Sequence, residues 1–107
     1  MKSLKGKIVN YNNSFNGEIT FEERINNINK IDNIDFDNIL IPGFVDLHCH
    51  GGGGYDSMSG LSNIKEMAKY HLRNGTTTLL PTTLTAPLDD TYKAIEGLNH
   101  FIETNKT

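Results

Sequence analysis

The sequence has a single cysteine, Cys49, so no disulfide can close within the chain, and that usage fits a reducing compartment. It has no long apolar run either. The start, MKSLKGKIVN, lacks the apolar centre of a secretory signal, and no stretch approaches the roughly 20 apolar residues a membrane helix needs. Charge of one sign is also missing. Ten basic and 13 acidic residues are mixed along the chain for a net charge of −3, which argues against nucleic acid as a partner. These absences lead to the expectation of a soluble, cytoplasmic chain that engages neither a membrane nor a nucleic acid. Its 107 residues suffice for one small domain with a modest core.

What is present centres on Ile41 to Asp56, IPGFVDLHCHGGGGYD. A His-x-His pair, His48 and His50, closes a short apolar run and precedes four glycines. On a β-strand alternate side chains share a face, so the two imidazoles sit roughly 7 Å apart along the strand and can lean onto one cation. The same alternation puts Asp46 on the histidine face and sends Val45, Leu47 and Cys49 to the other. Such a pair by itself also occurs on half-exposed strands. Context sharpens it: Pro42-Gly43 opens the strand and Gly51 to Gly54 close it. The histidines thus fall at the C-terminal end of a strand, where α/β folds place their chemistry.

Upstream, LKGKIV over residues 4–9 reads as a strand ending in a turn at Asn10 to Asn13. Asn16-Gly17 is a hairpin signal, followed by the alternating stretch from Glu18. Between Ile25 and Phe36 isoleucine recurs every third position, but the surrounding Asn and Asp favour short strands and turns over a helix. A further strand is expected over 38–41, making 1–41 a small antiparallel β unit with no site. Downstream, the four glycines are expected to form a flexible loop at a pocket mouth; they lack the Lys-Ser/Thr of a phosphate-binding loop. Tyr55 and Asp56 either contact substrate or cap that loop.

A helix is expected over 63–74, with Ser62 as N-cap, Gly75 after its end, and an inner stripe of Leu61, Ile64, Met67, Ala68 and Leu72. His71 lies on that stripe and reads as a packed structural residue. A β-branched strand follows over 76–80, stopped by Pro81, with Thr82, Thr83 and Thr85 at its exit. A second helix begins near Pro87, favoured by Asp89 and Asp90 in its first turn, with Leu88, Thr91, Ile95, Leu98 and Ile102 facing inward. His100 falls on the opposite, solvated face.

PGFVDLHCHGGGGYD, together with GTTTLLPTTLT from Gly75 to Thr85, closely resembles the N-terminal part of the N-acetylglucosamine-6-phosphate deacetylase family, within the amidohydrolase superfamily. The histidine segment is shared across that superfamily; the glycine run with Tyr55-Asp56 and the PTTLT element point to the deacetylase branch. The resemblance implies an α/β fold: the first two β/α units of a metal-dependent-hydrolase (β/α)8 TIM barrel over 42–107, preceded over 1–41 by part of a small β-sandwich domain. It implies hydrolysis of the N-acetyl group of N-acetylglucosamine 6-phosphate to glucosamine 6-phosphate and acetate. The implied cofactor is a divalent metal ion of zinc or iron type.

In the family the metal is held by the strand-one histidines, a Glu on the third strand and histidines on later strands, and an Asp on the last strand serves as acid and base. Here only His48 and His50 of that set are present. Asp46 is then expected to orient an imidazole, and Gly51, Gly52, Gly53 and Gly54 to line the substrate loop. No catalytic residue is expected within the chain, which reads as an N-terminal fragment, inactive alone, weak in metal binding and prone to homo-oligomers. Two alternatives stand beside this reading: another amidohydrolase of dihydroorotase or deaminase type, and a non-enzymatic binding or assembly module.

Overall fold

The computed structural model describes residues 1–105. The chain divides into two compact units, Met1–Pro42 and a second from Gly43 onward. No helix among the described residues is long and apolar enough to cross a membrane.

The first unit is a four-stranded sheet. Strand β1 (Lys2–Val9) pairs antiparallel with β2 (Ser14–Phe21), and the turn between them is closed by Asn10, whose backbone and side-chain nitrogens both donate to Asn13. Strand β3 (Ile25–Lys30) pairs antiparallel with β2 as an exposed edge, so the isoleucine repeat makes a strand and then irregular chain. Strand β4 (Ile39–Leu40) runs parallel to β1, giving the order β3-β2-β1-β4. The sheet is therefore mixed, not purely antiparallel.

Asn16-Gly17 is not a turn. Gly17 lies mid-strand opposite Gly6, and a Cβ on it would stand 2.7 Å from the Asn29 carbonyl oxygen and 2.9 Å from Ile8. Asn16 spends its amide on the Ile34 carbonyl, 2.5 Å away, and on Asp35. The glycine answers a close approach of neighbouring strands, a need that looks like a hairpin signal in sequence.

The second unit is a strand–helix–strand–helix run. Strand β5 (Phe44–Cys49) pairs in parallel with β8 (Thr76–Pro81), the crossover passing through the short hairpin of β6 (Gly51–Gly52) and β7 (Tyr55–Asp56) and helix α1 (Leu61–Arg73). Helix α2 (Leu88–Thr104) follows β8, with Asp89 and Asp90 in its first turn. Helix α1 starts two residues earlier than expected. Its N-cap is Gly60, at φ 88°, and Ser62 lies inside the first turn. Gly75, at φ 95°, ends it as a left-handed C′ residue.

Ile64 and Met67 of α1 and Ala94 of α2 have no solvent exposure and form the core of this unit. At Gly97 α2 lies against α1, where a Cβ would make ordinary contact with Ile64 at 3.4 Å. The stripes are narrower than the spacing suggests: Leu72, Leu88 and Ile102 are exposed. On β5 only Cys49 of the expected apolar face is buried, while Val45 and Leu47 are 60% and 70% exposed. The β5–β8 register shifts between Asp46 and Cys49, and helix α1 meets the strand at its far end, where His71 reaches Cys49.

Candidate metal site at the end of strand β5

The two histidines meet. His48 Nε2 and His50 Nε2 stand 2.9 Å apart, with ring centroids 4.7 Å apart and planes crossed at 76°. His50 is fixed from behind: its Nδ1 lies 3.0 Å from the Thr82 carbonyl oxygen. A carbonyl only accepts, so the proton is on Nδ1 and the Nε2 lone pair faces His48. Without a cation the neutral pair is satisfied if His48 donates from Nε2. With one, both lone pairs can turn onto it.

The separation tests whether a metal fits. Two nitrogens bound to one cation at about 2.1 Å stand about 3 Å apart at a right-angle bite and about 3.4 Å apart at a tetrahedral one. The observed 2.9 Å suits the narrower bite, and an imidazole whose second nitrogen donates to a carbonyl is the usual oriented metal ligand. The donor set fits a divalent ion. Among the described residues, however, no group of three or more His, Cys, Asp or Glu side chains gathers there.

The remaining residues named from the sequence take definite places. Asp46 accepts from the backbone N–H of His48 at 3.1 Å, so its carboxylate shapes the strand end and does not reach a ring. The four glycines form an ordered hairpin, not a loose loop: Gly51 and Gly52 pair with Asp56 and Tyr55, and Gly53 and Gly54 turn at φ 64° and 85°. Two successive positive φ values make a tight turn that glycine adopts freely. Tyr55 is 40% exposed. Asp56 caps the following turn, accepting from the Met58 N–H at 2.7 Å and from Ser59 Oγ. The Ser59 hydroxyl, and next the Met58 amide, hold its carboxyl below the usual aspartate value.

Thr82 is the residue sequence reasoning undervalued. Its N–H donates to the Cys49 carbonyl at 2.7 Å, its hydroxyl accepts from the Cys49 N–H, and its carbonyl takes His50 Nδ1. Fully buried Ser57 donates to the same carbonyl at 2.5 Å, and its N–H donates to the His50 carbonyl. The PTTLT element therefore backs the histidine strand. A backbone carbonyl leaves no mark of its own in a sequence; only the parallel pairing of two strands brings it here.

No protein-family profile matches the chain. Among curated proteins, the N-acetylgalactosamine-6-phosphate deacetylase of Escherichia coli O157:H7 is 37% identical over 61 residues, 56% of this chain and 16% of that protein. The N-acetylglucosamine-6-phosphate deacetylase of Bacillus subtilis is 42% identical over 50 residues, 46% of this chain and 13% of that protein. Among solved structures, the N-acetylglucosamine-6-phosphate deacetylase of Thermotoga maritima matches with a TM-score of 0.87 and 30% identity over 97% of this chain. The chain resembles part of an amino-sugar-phosphate deacetylase. It spans 29% of that crystallised deacetylase, and its aligned segments cover smaller shares of the two curated deacetylases. The matches in sequence and in structure are both named as deacetylases.

Proposed function

We propose that this chain is the N-terminal part of a metal-dependent amidohydrolase that cleaves the acetamide of N-acetylglucosamine 6-phosphate, releasing glucosamine 6-phosphate and acetate. The observation that carries the reading is the pair of imidazole nitrogens 2.9 Å apart at the end of a parallel strand. In this reading residues 1–41 belong to a small β-sandwich, and residues 42–107 open a (β/α)8 barrel with its chemistry at the strand ends.

His48 and His50 would hold a divalent ion of zinc or iron type. When bound, such an ion supplies Lewis acidity toward the acetyl carbonyl and makes water nucleophilic near neutral pH. The chain's own contribution is orientation. Thr82 fixes the His50 tautomer and Asp46 holds the His48 backbone, and the glycine hairpin that follows His50 would line the substrate side. No residue of this chain is assigned the proton transfer, and two imidazoles leave most of a metal's coordination to other donors. The 107-residue chain is accordingly expected to show no turnover alone. The reading includes a homo-oligomeric enzyme in the cytoplasm, and the buried, unpaired Cys49 suits a reducing compartment.

One observation favours a second substrate: the Escherichia coli relative is named for the galacto epimer. Both sugars present the same acetamide and phosphate. Assay of the longer protein carrying these residues, with each N-acetylhexosamine 6-phosphate, separates them. Acetate release from one epimer in preference to the other assigns the substrate, and release from neither overturns the deacetylase reading.

A further inference from the structure

The helix stripe predicts a packed His71, and its ring has a more specific placement. From α1, its Nε2 lies 3.0 Å from the Gly51 carbonyl oxygen and 3.3 Å from Cys49 Sγ. Cys49 and Gly51 are the two chain neighbours of His50, and Cys49 Sγ also approaches the Gly51 carbonyl at 3.4 Å. The carbonyl can only accept, so the His71 proton is on Nε2. The space is matched as well: a Cβ on Gly52 would collide with His71 Nε2 and lie 2.8 Å from Cε1. Glycine at position 52 and imidazole at position 71 are fitted to each other.

We infer that His71 is a positioning residue for the His48/His50 pair, holding the Gly51 carbonyl on one side of His50 and meeting the Cys49 sulfur on the other so that the His50 Nε2 stays aimed at the shared cation position. Thr82 fixes the ring of His50; His71 fixes the chain that carries it. The inference rests on the reading of His48 and His50 as metal ligands. Outer partners of ligating histidines are worth roughly 10- to 100-fold in metal affinity. Removing the grip without touching a ligand is therefore expected to weaken metal binding within that range.

The test compares H71L, H71Q and G52A in the full chain. Leucine keeps apolar bulk and removes the donor, glutamine keeps a donor nitrogen at similar reach, and alanine at 52 displaces an intact imidazole. Two readouts are taken: zinc affinity by competition titration, and the Nδ1–H resonance of His50 by nitrogen-15 NMR without metal. H71L and G52A are expected to lose at least about tenfold in zinc affinity and to broaden the His50 ring proton, while H71Q stays within about threefold of the parent. If H71L fails to fold by circular dichroism, G52A and H71Q carry the comparison. H71L or G52A with parental zinc affinity and an unchanged ring proton would overturn the role of His71. A parent chain that binds no zinc, yet whose ring proton is lost in H71L and G52A, would sink the metal reading and leave the positioning role standing.

Discussion

Side-chain hydrogen bonds are spent differently in the two units. In the first, asparagines act one at a time on separate partners: Asn10 on Asn13, Asn16 on the Ile34 carbonyl and Asp35, and Asn38 on the Lys5 carbonyl. In the second, donors converge on a few oxygens. The Thr82 carbonyl takes His50 and Ser57, and the Gly51 carbonyl takes His71 and Cys49. Dispersed bonds close turns and edges, and losing one leaves the others intact. Converging bonds hold one geometry, and losing one frees a group its neighbours depend on. That contrast separates a convergent network at the end of β5, where the proposed site lies, from the dispersed bonds of the first sheet.

The strongest challenge to the contrast is to remove the packing beneath the converging bonds. Met67 is fully buried on α1, so Met67→Ala is expected to cost roughly 2–5 kcal/mol and to abolish the cooperative unfolding transition of the second unit. A urea melt followed by circular dichroism reads this out. An unchanged midpoint would mean that α1 is not what holds His71 and the hairpin in place.

A smaller effect is expected in the scaffold, and it distinguishes the facing glycines. A Cβ on Gly17 meets the backbone oxygen of Asn29 at 2.7 Å, whereas on Gly6 its nearest neighbour is the Asn38 side-chain nitrogen at 2.8 Å. Backbone moves less readily than an exposed side chain. Gly17→Ala should therefore cost about 1–3 kcal/mol and Gly6→Ala less, measured by chemical denaturation. The reverse order would show that the β1–β4 contact is the tighter one.

The smallest effect is expected at Asp56, and it depends on pH. Its pKa in the folded chain lies below the ordinary value of 3.8, chiefly through the Ser59 hydroxyl and then the Met58 amide. A depressed carboxyl contributes stability that is complete above the unfolded value and fades as pH falls through the folded one. Asp56→Asn should therefore melt slightly below the parent at neutral pH, and the gap should close in the acid range below 3.8. A gap that persists unchanged there would point to a steric cause. Because the group faces solvent, the effect should stay well under that of Gly17→Ala.

These residues also show what a sequence can carry. The strand–helix–strand–helix order from residue 43 was legible because apolar periodicity and the glycine at 75 are local signals. Alternation put His48 and His50 on one face of one strand, whereas β5 ends at Cys49 and His50 stands in the bend after it, its ring leaning back to His48. Asn16-Gly17 misled because a glycine required by a neighbouring strand looks the same as one required by a turn. Gly60, at positive φ, and not Ser62 stands as N-cap, and no side chain caps the helix. The four glycines read as slack, yet two of them turn and two pair. The Thr82 carbonyl and the reach of His71 to Gly51 stayed hidden, being contacts between residues 32 and 20 positions apart.

In the proposed reading His48 and His50 share one divalent ion. Zinc titration of the parent chain, His48→Ala and His50→Ala, with X-ray absorption on the zinc-loaded parent, tests it most directly. The expected result is one ion per parent chain with two imidazole nitrogens at about 2.1 Å and a fall in affinity of at least about tenfold in either variant. Equal zinc affinity in the parent and both variants would contradict it.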